Sequence, residues 1–207
     1  MAQEPMRESA NTGTGTRRYT IPLAGMSLPA VPGRTDTKGI VSGLMLSLAM
    51  IGLLQFGERL DTALIGGLFP VSGRVIAFTM IGLGAFMYGL VPGLIVAEIN
   101  PLIATATGTS PIAPFFFVTN GLICVAAVIA GKRFENVITW KAVLSYTVLA
   151  SIFMILAYIP LHVLYFKLPV DRMLSLYGVQ TAFSIPLPAI FLFAMLRVVR
   201  DAGFIEE

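Results

Sequence analysis

An all-helical, polytopic membrane protein of six spans is the fold this sequence predicts, and three observations predict it. Hydrophobic residues make up 56% of the 207 positions and charged residues only 12%, with a mean hydropathy of +0.84. Soluble domains carry roughly 25% charged residues. The apolar residues are gathered in runs that match the ~17–25 residues a helix needs to cross a bilayer. Most of the charged residues lie between or outside those runs. In hydrocarbon every backbone polar group must be satisfied internally, which a helix does within its own segment.

From the N-terminus, residues 1–38 are polar, rich in Gly, Pro, Thr and Ser, and hold no long apolar run. They read as a flexible cytoplasmic tail. The stretch TRRYTIPLAGM has paired arginines, but Pro22, Pro29 and Pro32 interrupt the segment after them, so no apolar signal region forms. GIVSGLMLSLAMIGLLQF, 39–57, is the first span. Glu58, Arg59 and Asp61 come next, and ALIGGLFPVSG, 63–73, is too short to cross and reads as an outer loop. From Arg74 to Thr107 the apolarity is long enough for two helices. GLVPG, 89–93, supplies turn residues and divides them into spans at 74–88 and 93–107. TGTSP forms the next loop, and PFFFVTNGLICVAAVIAG, 114–131, is the fourth span, stopped by Lys132 and Arg133. The fifth span covers 140–166, a loop holds Pro169, Asp171 and Arg172, and the sixth covers 176–199. Residues 39–201 thus make the membrane domain and 202–207 a short cytoplasmic end.

Six spans put both termini on one side. That side carries Arg7, Arg17, Arg18, Arg34, Lys38, Lys132, Arg133, Lys141, Arg197 and Arg200, ten cations in all. The other carries four: Arg59, Arg74, Lys167 and Arg172. The positive-inside rule then makes both termini cytoplasmic. The net charge of +3 reflects these flanking cations and not a nucleic-acid surface.

Composition also excludes chemistry. A single cysteine, Cys124, rules out an intrachain disulfide and a Cys-based zinc site. One histidine cannot build a multi-His metal site. No G-x-x-x-x-G-K-[ST] loop is present, so the chain has no P-loop for ATP hydrolysis. Asp61, Asp171 and Asp201 fall in loops or ends, no Ser/His/Asp triad is evident, and only Glu98 or His162 could serve as an intramembrane base. The expectation is a non-enzyme with no cofactor and no metal.

Small residues recur at four-residue spacing: Gly39, Gly43 and Ser47 in the first span, and Gly89, Gly93 and Ala97 at the turn and third span. Such stripes let helices approach closely in lipid. They fit packing inside the bundle, and the first also fits a docking face for a partner's helix.

Together with that stripe, three features carry a resemblance. A long outer loop comes after the first span. The run FMYGLVPGLIVAEINPLIATATGTSPIAPFFFVTNGLICVAAVIAGKRF has a helix–turn–helix–loop–helix layout. LYGVQTAFSIPLPAIFLFAMLRVVRD forms a last helix with a basic end. Over residues 39–201 the chain resembles the substrate-binding S component of energy-coupling factor (ECF) transporters, small six-helix proteins of the plasma membrane that capture vitamins, related metabolites or metal ions. The resemblance implies a transmembrane coupling subunit and two ATPase subunits as partners, with a small-molecule substrate and no nucleic acid. It implies docking through Gly39, Gly43 and Ser47, where the family has Ala-x-x-x-Ala; small size is kept here and residue type is not. It also implies an outward pocket at the outer ends of the later helices, closed by loops one, three and five.

Polar side chains inside spans are functional candidates by default. In the outer half these are Arg74, Asn100, Thr105, Thr107, Thr119, Asn120, His162, Tyr165, Tyr177, Gln180 and Ser184, with Phe115, Phe116, Phe117, Tyr158, Tyr165 and Tyr177 as aromatic walls. The substrate-binding set is Arg74, Asn100, Asn120, His162, Tyr165, Tyr177 and Gln180. Each also has a plainer role open to it. Asn120 and Gln180 fit bridges between helices, His162 a satisfied interfacial group, Arg74 a headgroup marker, and Phe115 to Phe117 an interfacial belt. Glu98 lies nearer mid-membrane, and the expectation there is a structural hydrogen bond to a neighbouring helix, with a proton-linked role as the alternative. Pro101 interrupts the helix ladder and frees the Ala97 carbonyl for another donor. A non-transport accessory subunit of a larger membrane complex is the rival reading. It is separated from solute capture by whether the polar groups converge on a void or scatter among helix contacts.

Overall fold

The computed structural model describes residues 22–23, 26–27, 37–65, 71–108, 113–134, 138–165, 167 and 169–202. The chain is helical: α1 (Thr37–Ile65), α2 (Val71–Tyr88), α3 (Leu90–Ala106), α4 (Ala113–Arg133), α5 (Trp140–Leu164), α6 (Val170–Ser184) and α7 (Pro186–Asp201). One short antiparallel pairing, β1 (Pro22–Leu23) with β2 (Met26–Ser27), precedes them. The rest of the expected tail, up to Thr37, lies outside the described residues.

Among the described residues five helical stretches are long and apolar enough to cross a membrane: Thr37–Ala63, Val71–Tyr88, Ala113–Arg133, Trp140–Leu164 and Val170–Asp201. The helix Leu90–Ala106 is shorter, at 17 residues. The outward faces agree with a lipid solvent. Met45, Leu48 and Phe56 of α1, Val118 of α4, Leu156 of α5 and Val198 of α7 are all more than half exposed. In water such a surface would be an association liability. Around a bundle in hydrocarbon it is the lipid contact. The chain is a membrane protein.

Two expected loops are helix instead. α1 runs on through Glu58, Arg59 and Asp61 to Ile65, and α2 begins at Val71, so only 66–70 separates them where a long outer loop was expected. Charge ends a membrane span, but it does not end a helix once the chain is in water or headgroups. Asp61 then has a local task. Both its carboxylate oxygens accept from the Ser72 amide, at 3.1 and 3.0 Å, which caps the free N–H groups at the start of α2. Likewise Asp171 and Arg172 lie in the first turn of α6, and Asp171 there complements the helix dipole. α6 runs into α7 with a single break at Ile185, where Pro186 cannot continue the ladder.

The turn between α2 and α3 is tighter than the five-residue break expected. It is one residue, Gly89, at φ +90°, a backbone region that glycine enters without penalty. Pro92 and Gly93 already belong to α3, and proline is tolerated in a first turn. This hairpin seats α3 against its neighbours. A Cβ on Gly93 would stand 2.8 Å from Cys124 Sγ, 2.9 Å from Ala85 Cβ and 3.0 Å from Ala85 Cα. A Cβ on Gly43 would stand 3.1–3.3 Å from three atoms of Pro92. Ser47, fully buried, donates to the Gly43 carbonyl at 2.8 Å and to the Ile95 carbonyl at 3.1 Å. Gly39 is buried as well. Gly43 and Ser47 of the stripe therefore pack on α3, which is the first of the two roles expected for that spacing: packing inside the bundle.

The core divides by depth. Toward the end holding Gly89 and Lys132 many of the buried residues are small, Gly82, Ala85, Ala97, Cys124, Ala126, Ala127, Ala130, Ala142 and Ala150, and they pack around Val143, Leu192 and Leu196. Tyr146 closes this zone. It is fully buried, its hydroxyl donates to the Phe78 carbonyl at 2.5 Å, and its ring meets Phe86 edge-on at 5.5 Å. Toward the other end the side chains are large and polar, and the helices stand apart.

The packing predicts a contrast between two glycines. Gly93→Ala should lower thermal stability in detergent by about 1–3 kcal/mol through overpacking, because its neighbours include backbone. Gly52→Ala, where a Cβ meets nothing within 4 Å, should leave the melting midpoint unchanged or raise it. Thermal melts of the two variants followed by circular dichroism check this.

Candidate functional site

The helices that stand apart enclose a cavity of about 350 Å³ at the end of the bundle holding Glu58 and Arg74. Every helix from α1 to α6 lends it residues. α1 provides Met50, Leu54 and Glu58, one face at four-residue spacing; α2 provides Arg74, Ala77 and Phe78. α3 provides Asn100, and α4 Phe116, Thr119, Asn120 and Ile123. α5 adds Met154, Tyr158 and His162, and α6 adds Tyr177 and Gln180. The walls are mainly apolar and aromatic, with few polar groups aimed inward, which is the make-up of small-molecule sites.

Six of the seven expected substrate-binding residues meet here: Arg74, Asn100, Asn120, His162, Tyr177 and Gln180. Tyr165 does not. It ends α5, is 62% exposed, and packs its ring against Phe115 at 5.7 Å outside the cavity. The three phenylalanines do not form one belt either. Phe115 pairs with Tyr165, Phe116 enters the cavity wall, and Phe117 lies on a different surface.

Arg74 is no headgroup marker. It turns into the bundle, with its guanidinium carbon 5.3 Å from the Tyr158 ring centre and 5.9 Å from that of Tyr177. Cations over such π faces gain about 0.5–2 kcal/mol. Its Nη1 donates to Met154 Sδ at 3.0 Å. Tyr158 and Tyr177 stack at 5.9 Å with 26° between their planes. His162 completes the cluster: Nδ1 lies 2.9 Å from the Tyr158 carbonyl and 3.1 Å from the Tyr177 hydroxyl. With the proton on Nδ1 the ring donates to that carbonyl; with it on Nε2, Nδ1 accepts from Tyr177.

The amides have different tasks. Pro101 has no N–H to offer, so the Ala97 carbonyl loses its helix partner, and Asn120 Nδ2 donates to that carbonyl at 2.9 Å. Asn120 is thus a bridge between α4 and α3 that also lines the cavity. Gln180 makes no such bridge. It is 6% exposed, and its Oε1 has no hydrogen-bond partner among the described residues.

Glu98 stands apart from this site. It borders an apolar groove with Leu44, Val91, Leu94, Ile95, Ile99, Leu102 and Phe117, outside the cavity lining. The hydrogen bond expected to a neighbouring helix is not formed: Glu98 Oε2 is buried and has no partner among the described residues, and Oε1 lies against the Gly121 backbone, 3.1 Å from where a Cβ would sit.

Sequence reading missed Glu58, Thr119 as a wall residue, and Met154. Glu58 carried a usable signal, since it continues the Met50–Leu54 face by one further turn. Among the described residues no group of three or more His, Cys, Asp or Glu is placed to hold a metal ion. Comparison with known protein families, with curated proteins and with solved structures gives no match.

The Pro101–Ala97–Asn120 arrangement predicts a measurable coupling. Asn120→Leu leaves a buried carbonyl orphaned and should cost about 1–3 kcal/mol of stability. In a Pro101→Ala background a helix N–H again reaches the Ala97 carbonyl, so the same substitution should cost less than half as much. A double-mutant cycle on thermal stability reads the difference; equal costs in both backgrounds would refute the bridge.

Proposed function

We propose that this chain is a membrane-embedded solute-capture subunit of an ECF-type importer of the plasma membrane. It crosses six times with both termini cytoplasmic, takes a small metabolite or vitamin from the outer side, and hands it to a coupling subunit driven by two ATPases. One observation carries the reading. Polar groups from five helices, Arg74, Asn100, Asn120, His162, Tyr177 and Gln180, converge on a single void instead of scattering among helix contacts. An accessory subunit that only glues an assembly together has no need of such a void, and unfilled polar space inside a bundle costs stability.

The void lies at the end opposite the cation-rich one, so the ten-to-four asymmetry of Lys and Arg favours an outward opening. Capture then needs only binding, and the cavity is lined for recognition. Entry passes the ends of α1, α2, α5 and α6. Handover to the cytoplasm requires the small-residue zone beneath Tyr146 to be bypassed, since it is packed without space for a solute. In this reading the whole subunit moves with its ligand relative to a partner, and the dry inner half stays closed. Gly43 and Ser47 already pack on α3, so docking of the coupling subunit along the first helix would use Gly39 and the faces beside the stripe.

Mass spectrometry of polypeptides that co-purify with the tagged protein from native membranes tests this. Two P-loop ATPases with a helical membrane subunit are the expected outcome. An electron-transfer or other assembly in their place would overturn the proposal and favour the accessory reading.

A further inference from the structure

Arg74 is a cation without an anion of its own. Among the described residues the only ion pair within 4 Å joins Arg200 to Asp201 at the far end of the chain. The guanidinium carries five donors in a planar fork, and the thioether of Met154 that meets Nη1 is a weak acceptor. Two tyrosine rings fix its position at 5.3 and 5.9 Å. An ionised group in the apolar part of a membrane protein is costly unless paired, and a guanidinium matches a carboxylate edge to edge. The fork therefore asks for an anion.

We propose that the cavity takes a planar organic monocarboxylate, with its carboxylate on Arg74. The proposal rests on the solute-capture reading and names its ligand class. The cavity's ~350 Å³ sits at the small end of ligand pockets, roughly 300–1,000 Å³, and fits one small molecule but not a two-chain lipid. The aromatic walls, Phe78, Phe116, Tyr158 and Tyr177, suit a flat body. Glu58 lines the same space, so a second negative charge on the ligand is repelled, which selects a monoanion.

The test uses the full-length purified protein in a non-ionic detergent and three matched acid–amide pairs: benzoate with benzamide, indole-3-carboxylate with its amide, and quinoline-2-carboxylate with its amide. Binding is read by calorimetry and by shift of the melting midpoint. At least one acid should bind on the order of tenfold more tightly than its amide. Arg74→Gln should erase that preference and Arg74→Lys should retain part of it. The wild-type comparison stands even if a variant fails to fold.

Amides binding as well as their acids would overturn the carboxylate assignment while leaving solute capture intact. Stabilisation by phosphatidylglycerol but by none of the acids would also overturn it, in favour of a lipid headgroup. No binding by any pair would sink the proposal, and the co-purified subunits then decide separately whether capture itself survives.

Discussion

The clamping of α3 is the constraint on which the rest of the structure depends. α3, at 17 residues, is shorter than α1, α2, α4 and α5, and it carries an internal proline together with Glu98 and Asn100. Such a helix is poorly suited to stand alone in hydrocarbon. It is held because the chain removes side chains where it must touch: Gly43 on α1 and Gly93 on α3 itself let α1, Ala85 and Cys124 approach to within van der Waals contact. Apolar transfer supplies no drive between helices in lipid, so this close packing is the main attractive term. A one-residue turn at Gly89 sets the angle at which α3 leaves α2. Once the inner end is pinned there, the polar outer half of α3 is delivered to the same space as α4, α5 and α6.

That pinning dictates where the polar groups go. Pro101 opens one carbonyl in the middle of the membrane, and Asn120 fills the gap. The pair converts a defect in one helix into a bond between two, close to the cavity wall. Tyr146 does similar work between α5 and α2, and Ser47 between α1 and α3. These three bonds share a pattern: a side-chain donor reaches the backbone carbonyl of another helix. Backbone carbonyls have a second lone pair to give without breaking their own ladder, so such bridges stiffen the bundle at little cost. Arg74 is left without a backbone or carboxylate partner: its fork meets the Met154 thioether and two tyrosine rings on the cavity wall.

Much of this was legible in the sequence, for physical reasons that also explain the failures. Span positions were readable because apolar density is a direct demand of lipid, and the helices fall within a few residues of the expected 74–88, 93–107, 114–131 and 140–166. The ends of α1 and the start of α6 were misread because Glu58, Arg59, Asp61, Asp171 and Arg172 mark where hydrocarbon stops, and helices continue past that point. Most cavity residues were readable because a polar group within an apolar run is rare enough to need a reason. Tyr165 misled because it sits at a helix end, where the phase of the last turn decides between cavity and surface. Gly43 and Ser47 left two roles open because spacing reports that two helices touch, not which two. Depth in the membrane could not be turned into a side of the helix for Glu98, which shares α3 with Asn100 but lines a different surface.

The two halves of the bundle therefore make opposite demands on the same helices, and the sequence meets them by changing residue size along each one. On α4, Cys124, Ala126, Ala127 and Ala130 hold the inner half shut, whereas Phe116, Thr119 and Asn120, earlier on the same helix, hold the outer half open. On α5, Ala142 and Ala150 give way to Met154, Tyr158 and His162. On α2 the order runs in reverse to that of α5, from Arg74 and Phe78 to Gly82 and Ala85, as an antiparallel neighbour requires. Small residues draw helix axes together, and large ones force them apart, so the taper is written into side-chain volume. Among the described residues the lining of the cavity comes from the helices. The polar groups within it are oriented by the same helix contacts that close the opposite end.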